Sequence, residues 1–98
     1  MSAPNNSSGI LSASAIVATR NGSPLILSGA HIITNGTDDV TIILYDELSA
    51  TGEEIFKQVV AGSDLSIPFV MPQGGIRCNT GIYASIAGTG AELIVFWR

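Results

Sequence analysis

A chain of 98 residues holds one domain with room for a single packed core. Only 12% of its residues are charged, about half the roughly 25% usual in soluble domains, and the net charge is −4. Its basic residues, Arg20, Lys57, Arg77 and Arg98, are scattered singly, which excludes the basic patch nucleic acid demands, and a single cysteine, Cys78, excludes an internal disulfide. No apolar run approaches the roughly 18 residues of a membrane helix, and the first residues lack the basic and apolar regions of a secretion signal. Neither nucleic acid nor membrane is therefore expected as a partner.

Residues 1–9 are small, polar and turn-prone, a composition that buries too little apolar area to offset ordering entropy. They read as a flexible arm, either frayed or ordered against a neighbouring subunit, ahead of one domain at 10–98. From Ile10 onward, short apolar segments alternate with turn clusters and no helical spacing persists over three turns. Strands are predicted at 10–19, 24–34, 40–45, 54–60, 65–70, 81–87 and 91–97.

The separators carry turn chemistry. Asn21-Gly22 and Asn35-Gly36 can supply positive φ, Gly62-Ser63-Asp64 makes a tight reversal, and Pro72 to Gly75 interrupts a ladder. Gly88-Thr89-Gly90 reads as the hinge of a C-terminal hairpin. About seven to eight short strands at this pitch predict an all-β fold, a single antiparallel β-sandwich of jelly-roll type.

The segment at 40–45 places Val40, Ile42 and Leu44 on one face and Thr41, Ile43 and Tyr45 on the other, while at 91–97 Leu93, Val95 and Trp97 oppose Ile94 and Phe96. Both faces are largely apolar, where a free antiparallel sheet usually alternates apolar with polar. The scarcity of charge fits the same expectation, that another subunit covers the outer face.

Chemistry is sparse. His31 is the only histidine and sits within a predicted strand, without the nucleophile or further ligands that catalysis or zinc would require. Cys78 has no neighbouring base or cationic cluster to lower its pKa. The acidic pairs Asp38-Asp39, Asp46-Glu47 and Glu53-Glu54 read as solvated loop charge, since the ligand ladder of a calcium loop is missing. The glycine-bearing segments at 71–75 and 88–90 lack the Lys-Ser/Thr end of a phosphate loop, and Asn-X-Ser/Thr tripeptides such as Asn35-Gly36-Thr37 reflect loop composition. No catalytic, cofactor-binding or metal residue is nominated.

The succession Ile43-Leu44-Tyr45-Asp46, Ser49-Ala50-Thr51-Gly52, Val60-Ala61-Gly62-Ser63, Gly74-Gly75-Ile76, Thr80-Gly81-Ile82-Tyr83 and Gly88-Thr89-Gly90-Ala91-Glu92-Leu93 resembles that of small all-β structural proteins of tailed bacteriophage particles, over residues 24–98. The resemblance implies a virion protein without enzymatic activity or cofactor, most simply a capsid decoration (cement) protein on the head exterior. It implies self-association, with a trimer expected, and docking on a major capsid protein or another virion protein. A tail, neck or baseplate component is the alternative, and a host-glycan-binding sandwich is the rival of another class. Side-chain alternation nominates Ile43, Tyr45, Ile94 and Phe96 as interface residues, with Ser2 and Ile10 added from the arm and its junction.

Overall fold

The computed structural model describes residues 6–98, so Ser2 lies outside the described residues. Nine strands form among them: β1 (Asn6–Ser7), β2 (Ala15–Thr19), β3 (Leu25–Ile33), β4 (Val40–Tyr45), β5 (Glu54–Val60), β6 (Ser66–Val70), β7 (Ile76–Cys78), β8 (Gly81–Ala87) and β9 (Glu92–Trp97). The reversal at Gly62–Asp64 is a single 3-10 turn.

With β7 set aside, strands pair antiparallel from the outside of the chain inward: β1 with β9, β2 with β8, β3 with β6, β4 with β5. Such nesting is one long hairpin. It rolls up by adding β3 to β9 and β4 to β8, which gives the sheets β1-β9-β3-β6 and β2-β8-β4-β5. This double-sheet winding is the jelly roll expected from the strand pattern. β7 joins the first sheet on β3, pairing at Leu25 to Leu27 beyond the stretch that β6 covers.

Two expectations need correction. The Gly88-Thr89-Gly90 segment is not a hairpin, because β8 belongs to the four-stranded sheet and β9 to the five-stranded one. Glycine is needed at that crossing: Gly88 has φ +125°, and a Cβ there would sit 2.5 Å from the Asp39 carbonyl oxygen. The second correction concerns the arm, whose described residues fold back along β9. Asn6 and Ser7 pair with Trp97 and Phe96, Ser8 exchanges hydrogen bonds of 2.9 Å with Val95, and Leu11 bridges Leu93. An otherwise open edge is thereby closed within the chain.

The core lies between the sheets and follows strand alternation. Leu27 and Ile32 on β3, Ile42 and Leu44 on β4, Ile82 on β8 and Leu93 on β9 are fully buried. Each such side chain contributes about 1.5–3 kcal/mol by leaving water, which makes this layer the main source of stability. Phe56 and Phe69 close the β5/β6 side edge to face, their centroids 5.5 Å apart.

Candidate interaction surfaces

The outer face of the five-stranded sheet is built by the register of three strands. On β9 the inward residues Leu93 and Val95 are fully buried, so Ile94 and Phe96 point outward and are half-buried. On β3, Ala30 and Ile32 point in, which turns His31 and Ile33 out. Register then aligns Val70, Gly29 and Phe96 in one row, Pro68, His31 and Ile94 in the next, and Ser66, Ile33 and Glu92 in a third. Gly29 has no side chain to hold the Phe96 ring away: a Cβ there would lie 3.9 Å from Phe96 Cδ2. Val70 is 88% exposed, so the chain itself leaves this apolar edge wet.

The opposite outer face, on the four-stranded sheet, is more mixed. Ile43 lies between Lys57 and Ser85, and Tyr45 between Glu54 and Tyr83. Ile16 is 51% exposed and pairs with Tyr83. Tyr45, expected on an open face, is buried at 8% exposure and stacks edge-on with Tyr83 at 6.4 Å. A register shift between Leu44 and Tyr45 accompanies this change from simple alternation.

The loop between β4 and β5 folds onto the start of β8. Leu48 packs against Gly81, where a Cβ would lie 2.6 Å from its Cδ2. Asp46 holds the same place from below. Its carboxylate accepts backbone N–H bonds from Thr80 at 2.8 Å, Asn79 at 3.0 Å and Gly81 at 3.4 Å. Burial alone would raise its pKa, but those three donors and the Arg20 charge outweigh it and hold the carboxyl below its ordinary 3.8. Asp39 has a similar task, accepting the Gly62 N–H at 3.0 Å. Asp46 and Asp39, read from sequence as solvated loop charge, are thus backbone anchors.

The remaining chemical candidates lie apart from one another. His31 is half-buried on the five-stranded sheet, and its buried Nε2 has no hydrogen-bond partner. Cys78 is a buried thiol pushed up to about 11, first by burial and then by the charges of Asp46 and Glu53. Among the described residues, no three His, Cys, Asp or Glu side chains gather into a metal-binding group. The turn at 71–75 and Arg98 border an open depression of about 290 Å³, in which Arg98 donates from Nη2 to the Gly74 carbonyl at 3.0 Å.

The nominated interface residues therefore do not form one site. Ile94 and Phe96 share the five-stranded face, Ile43 lies on the opposite face, Tyr45 is withdrawn from the surface, and Ile10 is 62% exposed beside the β9 edge. The sequence reading missed Ile33, Pro68 and Val70, which register places beside Ile94 and Phe96. The alternation of Ile67 and Phe69 inward with Pro68 and Val70 outward carried the local part of that signal.

The succession of turn and strand motifs from Ile43 to Leu93 maps onto fold-forming contacts. Its Tyr45-Asp46 step supplies the anchor, its Thr80-Gly81 step the anchored turn, and its Gly88-Thr89-Gly90 step the sheet crossing. Compared with protein-family models, curated proteins and solved structures, the chain matches none.

Proposed function

We propose that this chain is a non-enzymatic structural component of a tailed-phage particle, docking on the outer head lattice as a cement protein. One observation carries the reading: the two broad faces of the sandwich, back to back, both present apolar side chains, Ile94, Phe96 and Val70 on one and Ile16 and Ile43 on the other. A domain with two such faces can touch two neighbours at once, which is what bridging capsomers requires. Each contact is small, and lattice symmetry multiplies weak contacts into a stable shell. The resemblance of the turn and strand succession to phage structural proteins supports the same assignment.

Quantitative mass spectrometry of purified particles of the encoding phage tests it. A cement protein is present at hundreds of copies per particle, whereas a tail, neck or baseplate ring holds about a dozen or fewer, as ring symmetry dictates. Absence from the particle overturns the virion reading, and a ring-like copy number moves the protein to the tail.

A further inference from the structure

The outer face of the five-stranded sheet is polarised along its strands. At one end Arg77 and Arg98 flank Ile26, Arg77 by ladder pairing and Arg98 by reciprocal backbone bonds of 2.7 and 2.9 Å. At the other end stands Glu92 beside Ile33. Between them the rows hold Val70, Gly29, Phe96, Pro68, His31 and Ile94, with no Asp, Glu, Lys or Arg among them. The Arg98 guanidinium is held in place by the Gly74 carbonyl through one of its five N–H donors.

We propose that this face pairs with the same face of a second copy, about a two-fold axis running across the strands. Val95 is midway between Glu92 and Arg98 on β9. An axis passing above Val95 sets Glu92 of each copy over Arg98 of the other, and Ile94 over Phe96. Symmetry makes every contact twice. An axis along the strands would instead bring Arg98 toward Arg98 and Glu92 toward Glu92, an arrangement that like-charge repulsion disfavours. Packed sheets lie about 10 Å apart and cross at about 30°. Glu92 and Arg98 are each about 10 Å from the axis, so this crossing displaces the pair by about 5 Å, within reach of two long side chains.

The area sets the strength. Four strands at about 4.8 Å spacing and the run from Ile26 to Ile33 at about 3.3 Å per residue give a face of roughly 19 by 23 Å, so pairing covers about 900 Å² in all. Stable interfaces cover roughly 1,200–2,000 Å², which places this pairing among weak, concentration-dependent ones. A face-to-face stack closes at two copies, in contrast to the trimer implied by the resemblance. It leaves both four-stranded faces pointing outward, available for other contacts. The inference stands on the charge pattern of this face and does not depend on the virion assignment.

Sedimentation velocity of the full chain, from roughly 10 μM to 1 mM, tests the pairing in solution. The wild type is expected to pass from one copy to two. Glu92→Arg and Arg98→Glu each weaken association about tenfold, equivalent to about 1.4 kcal/mol, and the combined charge swap restores it to near the wild-type value. A merely structural role for either residue gives no such rescue. Raising salt from roughly 50 to 500 mM provides the same test without substitution, since screening weakens the two ion pairs and with them the association. A wild type that stays single throughout, a three-copy species, a double variant that fails to recover, or salt-insensitive association overturns the proposal.

Discussion

Replacing Asp46 with Ala removes the acceptor of three backbone N–H groups at the turn into β8: Thr80 at 2.8 Å, Asn79 at 3.0 Å and Gly81 at 3.4 Å. The last is too long to count fully. The two shorter bonds go to a charged acceptor, and solvent reaches the turn to replace part of what is lost, so the expected cost is about 2–3 kcal/mol. For a domain of this size each kcal/mol lowers Tm by about 4–8 °C, so the melting point falls by about 8–24 °C. The pH dependence provides an internal control. Because the folded-state pKa is held below 3.8, the stabilisation is complete above that value and is lost as pH falls through the folded-state pKa. Thermal unfolding of both proteins at neutral pH and at about pH 2 should show a gap that narrows in acid, with Asp46→Asn intermediate at neutral pH because its neutral side-chain oxygen still accepts, as that of the protonated carboxyl does. A neutral-pH difference under about 0.5 kcal/mol, or a gap just as wide in acid, refutes the anchor.

Three further outcomes follow from the same contacts. Gly62→Ala forces a methyl against the Thr37 carbonyl at the one buried residue of its turn, where Thr34 Oγ1 donates to the Gly62 carbonyl at 2.6 Å, and chemical denaturation should show a loss of about 3 kcal/mol. Cys78, buried and with its pKa pushed up to about 11, should resist a thiol-specific reagent at pH 8 and react only as denaturant unfolds the domain; rapid labelling of the folded protein would contradict its placement. Tyr45→Ser and Phe96→Ser should separate: the first removes a buried ring and lowers stability by about 3 kcal/mol, while the second mainly weakens self-association, and calorimetry with sedimentation distinguishes them.

Much of this fold is legible where the signal is local. Strands β4, β5 and β8 occur at the boundaries that alternation and flanking turn residues predict, and the inward set Val40, Ile42 and Leu44 follows from period two alone. What the sequence conceals is non-local. β1 is two polar residues whose strand character comes entirely from pairing with β9, and β7 is three residues that pair with the beginning of β3. The segment Gly88-Thr89-Gly90 looks like a hairpin because a three-residue turn serves equally to reverse a strand within one sheet or to carry it to the other. The surfaces divide in the same way. Alternation correctly turns Ile94 and Phe96 outward but cannot set Pro68 and Val70 beside them, since that depends on the β3 register. The role of Asp46 is invisible locally because its partners lie 33 to 35 residues away.

The claim on which the functional account rests is that the apolar outer faces of this jelly roll are contact surfaces in an assembled particle. If the chain is the phage cement protein proposed above, a cryo-electron microscopy map of the particle that carries it, at a resolution that traces the chain, measures this directly. The account predicts copies on the head exterior with Ile43, Ile94, Phe96 or Val70 covered by neighbouring protein. Copies attached only through loops, with both faces open to solvent, would contradict it.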